Sequence, residues 1–350
     1  MNWPVKVLVV DDSAFSRRLI IDILSTDPEI QVVGYARNGM EALEKVASLK
    51  PQVVTLDLEM PVMDGLETLK KLMAGTPVAV IMLSAHTAAG AEVTIQALEL
   101  GAVDFVLKPA KPGDIKDLAR VLPEKIKAAA RVPRERLCSG RPCREIIPAP
   151  FISHMKGGVE VVAIGTSTGG PAALQQVLTA LPADLPAGVV VVQHMPPGFT
   201  GPLARRLNEL AALEIREAAD GDIIRPGMAL IAPAGKQMLL ERHGGNVQVL
   251  LAEEAGIPTL FKPSVDVLFL SVARIYGYRS LGVILTGMGN DGVRGLKAIK
   301  EQGGRVLAQD EDTSIVYGMP RAAVEAGLAD QILPLPAIAA AIVSLVAAAP

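Results

Sequence analysis

The chain has 350 residues and a mass of 36.7 kDa, enough for two domains at about 150 residues each. With 34 Lys plus Arg against 37 Asp plus Glu, a net charge of −3 and a pI near 5.9, it is not a globally basic nucleic-acid binder. Half the residues are hydrophobic, 20% charged and 3% aromatic, which excludes a disordered chain and leaves too few rings for a base-stacking platform.

Two cysteines cannot staple a chain of this size, so the expected compartment is reducing. The opening run MNWPVKVLVV meets Asp11 and Asp12 too soon for a signal peptide. The most apolar stretch, Ala337 to Ala349, is too short to span a bilayer. The expectation is a soluble cytoplasmic protein that is not membrane-embedded.

Residues 1–128 alternate strand-like and helix-like segments. Strands are expected at Val5–Val10, Gln31–Ala36, Gln52–Leu56, Val78–Leu83 and Asp104–Leu107, with apolar residues at helical spacing between them. Strands apolar throughout, separated by amphipathic helices, imply a parallel sheet covered on both faces: a doubly wound, flavodoxin-like α/β domain of strand order 2-1-3-4-5.

Residues 129–158 read as a linker, with Pro133, Pro142, Pro148 and Pro150 and no periodicity. Cys138 and Cys143 lie in it near His154, at a spacing too irregular for a metal site, and are expected to be unpaired reduced thiols.

A second α/β alternation fills residues 159–350. Buried strands are expected at Glu160–Ile164, Gly188–Gln193, Leu281–Leu285, Arg305–Ala308 and Gln331–Leu333. Helices are expected at Pro171–Leu181, Gly201–Leu210, Val265–Tyr276, Gly292–Glu301 and Pro336–Val346. Between them Met228–Ala232, Met238–Glu241 and Val247–Leu251 read as short antiparallel strands around Gly-rich turns. The domain is therefore a mostly parallel α/β unit with an antiparallel hairpin excursion.

In the first domain Asp11 and Asp12 end one strand and Asp57 ends its neighbour, so three carboxylates converge at the carboxyl edge. Their repulsion is relieved by a hard divalent cation, for which Mg²⁺ is the usual choice. Ser84 and Lys108 exit the next two strands onto the same pocket and suit an anion. The plainer reading is that Asp12 caps the following helix.

These residues, with MPVMDG from Met60 to Gly65 and the pair Lys108-Pro109, resemble the receiver domain of two-component signalling. The resemblance implies that Asp57 accepts a phosphoryl group from a histidine kinase. It implies that Asp11 and Asp12 position Mg²⁺ with Asp57, that Ser84 and Lys108 contact the phosphoryl oxygens, and that Phe105 holds the aromatic switch position.

In the second domain VVAIGTSTGG runs a buried strand into Gly165-Thr166-Ser167-Thr168-Gly169, the strand–turn–helix setting of a nucleophile elbow. A serine hydroxyl needs a base. Of His154, His194 and His243, only His194 follows a buried strand directly. The orienting acid is expected at Asp291, after the strand ending LTGMGNDG; its plainer role is a helix cap, and Asp310 and Asp312 are the alternatives. Asp266 sits inside a helix and is set aside. The backbone N–H of Thr168 is the first oxyanion donor.

GTSTGGP, VVVVQHMP and LTGMGNDG together resemble the catalytic domain of the chemotaxis protein-glutamate methylesterases, CheB, and a receiver and linker ahead of it match that architecture. The resemblance implies Ser167 as nucleophile, His194 as base, Asp291 as orienting acid and Met288 with Thr168 beside the oxyanion. It implies hydrolysis of glutamate γ-methyl esters, often with deamidation of glutamines, on the cytoplasmic helices of methyl-accepting chemoreceptors. No cofactor is expected for the esterase chemistry. A response regulator with a DNA-binding output and a nucleotide-binding α/β domain are the competing classes; no helix-turn-helix pattern supports the former.

Overall fold

The computed structural model describes residues 4–85, 87–137 and 158–347. They fall into two compact units, one within Met1–Pro142 and one within Cys143–Pro350. Cys138, Cys143 and His154 lie outside the described residues. No helix among the described residues is long and apolar enough to cross a membrane.

The first unit runs β1 (Val5–Val10), α1 (Ala14–Ser25), β2 (Ile30–Ala36), α2 (Gly39–Leu49), β3 (Val53–Asp57), α3 (Gly65–Gly75), β4 (Ala79–Ser84), α4 (Ala88–Glu99), β5 (Asp104–Leu107) and α5 (Asp114–Ala129). Its sheet has the order β2-β1-β3-β4-β5, and every ladder is parallel. β3 and β4 are buried at every position, as strands covered on both faces must be.

Four helices start on side-chain caps. Ser13, Asn38, Asp64 and Thr87 accept from the backbone N–H of Ser16, Glu41, Glu67 and Gly90, three residues on. Ser13 therefore caps α1, in place of Asp12 as the sequence suggests, which leaves the exposed Asp12 carboxylate free of that duty. A short helix, α6 (Arg134–Leu137), follows α5, and Val132 and Leu137 are buried, so packed chain extends into the stretch that reads as linker.

The second unit runs β6 (Val161–Thr166), α7 (Gly170–Thr179), β7 (Gly188–Gln193), α8 (Thr200–Leu210), β8 (Glu214–Glu217), β9 (Met228–Ile231), β10 (Gln237–His243), β11 (Asn246–Ala252), α9 (Val265–Tyr276), β12 (Ser280–Ile284), α10 (Val293–Glu301), β13 (Arg305–Gln309), α11 (Met319–Glu325), β14 (Gln331–Leu333) and α12 (Leu335–Ala347). Seven strands form one parallel sheet of order β14-β13-β12-β6-β7-β9-β8, and β10 pairs with β11 as a separate antiparallel hairpin.

The expected antiparallel strand at Met228–Ala232 is corrected: β9 is parallel to both β7 and β8. Its four residues are all buried, so the continuous apolar run, not the flanking glycines, carries the signal. β8 (EIRE) has one buried residue and no apolar pattern to read, because it is the edge of the sheet.

Chain order reverses at β6. From there the chain steps to β7 on one side, and after the hairpin it returns to β12 on the other. A crevice opens at the carboxyl ends of strands at such a reversal, and that is where ligands sit in α/β sheets.

The core on one face joins Val161, Val190, Val192 and Val306 of the sheet to Leu268, Phe269 and Val272 of α9 and Leu296 and Ile299 of α10. The hairpin seals this layer with Met238, Leu240 and Val249. Leu296 is fully buried. We expect Leu296→Ala to lower the stability of this unit by about 2–5 kcal/mol, read as a shift of its denaturant midpoint.

Candidate functional sites

In the first unit Asp11, Asp12 and Asp57 each bring a carboxylate oxygen within 4.8 Å of the others. Asp11 is fully buried. It accepts from the Ser13 N–H at 2.9 Å and the Ser16 hydroxyl at 2.8 Å. Lys108 Nζ bridges Asp11 Oδ2 at 2.8 Å and Asp57 Oδ2 at 2.7 Å. Three carboxylates thus gather around one ammonium that pairs with two of them, a donor set of hard oxygens with charge to spare, which fits a divalent cation.

Burial pushes the Asp57 carboxyl up to about 6, against the pull of Lys108, and the charges of Asp11 and Asp12 push the same way as burial. For Lys108, burial opposes the ammonium form, and the hydrogen bonds to Asp11 and Asp57 outweigh it and raise its pKa.

A cleft lined in part by Asp12, Asp57, Met60, Pro61, Ala85 and Lys108 opens on this cluster. Ser84 lies at the end of β4 beside it, but is fully buried, and its hydroxyl accepts from Thr94 at 2.8 Å. Phe105 is buried, with the Lys125 ammonium 5.7 Å from its ring centre.

In the second unit Thr166 and Gln193 are register partners at the ends of β6 and β7. The residues that follow them, Ser167 and His194, are therefore neighbours at a strand spacing of about 5 Å. Gln193 staples the two loops: its Nε2 donates to the carbonyls of Ser167 at 2.9 Å and His194 at 3.0 Å. Gly169 follows at φ +77°, a conformation that glycine alone adopts readily, and turns the chain into α7.

Asp291 enters from beyond β12. His194 Nε2 lies 2.8 Å from Asp291 Oδ2. The same carboxylate accepts from the Ser264 hydroxyl at 2.9 Å, the Val265 N–H at 2.7 Å and the Asp266 N–H at 3.1 Å. Burial acts to raise the Asp291 pKa, but the bond and charge of His194 and the backbone N–H groups outweigh it and hold the carboxyl below its usual value.

Asp291 therefore caps α9, a different helix from the one it precedes. Asp266, on α9, returns the service: its Oδ1 accepts from Gly292 at 3.0 Å and Gly295 at 2.9 Å at the start of α10. Burial, with the Asp291 charge adding to it, raises the Asp266 carboxyl against those two backbone bonds.

With Nε2 donating to an ionised carboxylate, His194 Nδ1 carries the lone pair. Nδ1 is buried and has no hydrogen-bond partner among the described residues, so the half-buried Ser167 hydroxyl is not turned onto it in this state. Gly287 backs the serine, since a methyl there would come within 2.8 Å of Ser167 Cβ. Met288, the next residue, is half-buried, and its N–H donates to no acceptor among the described residues. Thr168 is buried, and its carbonyl accepts from the Thr286 hydroxyl at 3.0 Å.

Asp310, one of the alternative acids, instead ties its own loop through Thr313. Sequence reasoning passes over Gln193, Ser264, Asp266 and Phe261, whose ring stacks on His194 at 4.1 Å and 7°. Of these only Ser264 carries a local signal, an N-cap residue type before an apolar helical run.

A receiver-type phosphorylation pocket in one unit and a Ser/His/Asp cluster at the switch point of another together describe a response regulator with a hydrolytic output. Residues 7–120 match the response regulator receiver domain model, and residues 162–342 match the CheB methylesterase model. The chain is 64% identical to the protein-glutamate methylesterase/protein-glutamine glutaminase of Moorella thermoacetica, across 100% of both. It is 47% identical to the protein of the same name from Desulfitobacterium hafniense, across 98% of both. The crystal structure of the Thermotoga maritima CheB methylesterase catalytic domain, 42% identical, covers 54% of this chain and 99% of its own with a TM-score of 0.52. The chain belongs to the CheB family: a hydrolase of protein-glutamate methyl esters and protein glutamines, carrying a receiver domain for phosphorylation-regulated chemotactic adaptation.

Two expectations follow from the charges. Removing the Asp291 carboxylate leaves three buried donors and an imidazole without their acceptor, so Asp291→Ala should cost the second unit about 3 kcal/mol, against less than about 0.5 for Ser167→Ala, by denaturant unfolding. A carboxyl raised to about 6 binds its proton more tightly when folded, so the ionised Asp57 opposes folding above that pH. Without divalent cation, Asp57→Asn should raise the melting temperature of the first unit at pH 7.5, with the gain fading as pH falls from about 6 towards 4.

Proposed function

We propose that Ser167, His194 and Asp291 act as a catalytic triad. The reading is carried by one observation: an imidazole whose Nε2 is tied to a buried carboxylate at 2.8 Å and whose Nδ1 is left unpartnered, at the end of a strand paired in register with the strand that leads into Ser167. Ser167 Oγ attacks the γ-ester carbonyl and passes its proton to His194 Nδ1. The developing oxyanion takes hydrogen bonds from the N–H groups of Thr168 and Met288, and a single such donor is typically worth about 3 kcal/mol in the transition state.

As the tetrahedral intermediate collapses, His194 returns the proton to the leaving methoxide and methanol departs. Water, deprotonated by the same Nδ1, then cleaves the acyl-serine to free glutamate. With a glutamine substrate ammonia leaves instead of methanol. Asp291 holds the Nε2–H and stabilises the imidazolium through both steps. The substrate side chains are those of chemoreceptor cytoplasmic helices, and the protein works in the cytoplasm.

In the first unit Asp57 is the phospho-acceptor for a histidine kinase donor. Asp11, Asp12 and Asp57 would hold Mg²⁺, which supplies positive charge for the phosphoryl oxygens. Lys108, already on Asp57, contacts those oxygens, and Ser84 joins it by exchanging its Thr94 partner. The exchange is relayed to Phe105, two strand positions from Leu107, the register partner of Ser84.

The test is methanol release from methylated receptor by the full chain. Ser167→Ala should lose at least about a thousandfold in kcat. A small phosphodonor with Mg²⁺ should raise the wild-type rate and leave Asp57→Asn unchanged. Full activity in Ser167→Ala would overturn the triad.

A further inference from the structure

The hairpin β10–β11 shares no ladder with the seven-stranded sheet, yet its first residue is a fully committed buried amide. Gln237 is 1% exposed. Its Nε2 donates to the Phe261 carbonyl at 2.7 Å, and its Oε1 accepts from the Ser264 N–H at 2.9 Å. Neither bond belongs to a ladder. Both reach the connection from β11 to α9, one on each side of Pro263. A buried amide costs free energy unless both ends are satisfied, so this side chain fixes one conformation of that connection.

Two further bonds hold the same short strap. The Phe261 N–H donates to the Thr259 hydroxyl at 3.1 Å, and the Lys262 carbonyl accepts from Gly235 at 3.0 Å. The strap is thus pinned at Phe261, Lys262 and Ser264 in close succession.

Through it His194 is gripped on two sides. Phe261 lies flat on the imidazole, ring centres 4.1 Å apart and 7° from parallel. From the other end of the strap Ser264 and Val265 hold Asp291, which holds the Nε2 edge. An imidazole bonded through one nitrogen alone can still swing about that bond, and a ring packed on its face removes the swing. Phe261 is 37% exposed, so it is not there to fill core. An aromatic face also attracts the cationic imidazolium that forms during the reaction.

We propose that Phe261 and Gln237 are positioning residues of the esterase: Phe261 fixes the plane of His194, and Gln237 fixes Phe261. This rests on the triad reading above and goes beyond it, because neither residue is a member of the triad.

The test uses the full chain with Phe261→Leu, Phe261→Tyr and Gln237→Met, and Ser167→Ala as reference. Two readouts are taken: kcat and KM on methylated receptor, and the rate at which a small fluorophosphonate labels Ser167. Displacing a catalytic group by an ångström costs up to about a hundredfold, so Phe261→Leu should lower kcat about tenfold to a hundredfold with KM within about twofold. It should slow labelling by the same factor, although no receptor is present. Phe261→Tyr, which keeps the ring, should return both to within about threefold of wild type. Gln237→Met leaves the Ser264 N–H and the Phe261 carbonyl without their partner and should melt lower, but assayed below its melting temperature it should follow Phe261→Leu in kcat and labelling; wild-type kcat and labelling in folded Gln237→Met would overturn its part.

A raised KM with unchanged kcat and labelling in Phe261→Leu would make the ring a receptor contact and overturn the proposal. Failure of Tyr to restore activity would do the same. Activity surviving in Ser167→Ala is a different failure, that of the triad itself.

Discussion

The catalytic unit is organised around one buried carboxylate with four donors. Taking an ion out of water costs several kcal/mol, and Asp291 recovers that through His194, the Ser264 hydroxyl and two backbone N–H groups. Those N–H groups are the unsatisfied start of α9, so the acid is fixed by a helix terminus, which moves only if the helix does. Asp266 repeats the arrangement in reverse at the start of α10. Two helices that pack on each other thus cap each other, and the imidazole takes what remains of one cap. The orientation of the imidazole is in this sense a by-product of how the core is closed.

The other half of the geometry comes from the sheet. Parallel strands end at one edge, and β6 and β7 end in register at Thr166 and Gln193. The first unit obeys the same rule with different chemistry: β1, β3 and β4 leave Asp11, Asp57 and Ser84 at a common edge, where acids gather in place of a serine and a histidine. Both sites are consequences of strand order.

This explains what the sequence can and cannot disclose. Central parallel strands are continuous apolar runs, so β1, β3, β4, β6, β7 and β12 are legible, and with them every residue that follows such a strand directly. Ser167 and His194 are of that kind, and Asp57 closes its strand. β8 is not, because one buried residue in four leaves no pattern, and β9 is recognised as a strand but misread in direction because its neighbours are glycine-rich. α11 is short enough that only Pro320 in its first turn marks it. Gln237, Phe261, Ser264 and Asp266 stay hidden for another reason. Their meaning lies in partners some 25 to 70 residues away, such as Asp291 for Ser264, and no local rule pairs them.

The pocket of the first unit holds three carboxylates and one ammonium, two negative charges in all when every acid is ionised. A divalent ion would bring that to neutrality. On the proposal that Asp57 takes the phosphoryl group, an acyl phosphate would replace one charge of Asp57 with two, leaving the cation-bound pocket at a single negative charge. The negative charge so added would stand farther out, on three new oxygens, and an acidic side chain put in place of Asp57 would reproduce neither the reach nor the bonding of that group.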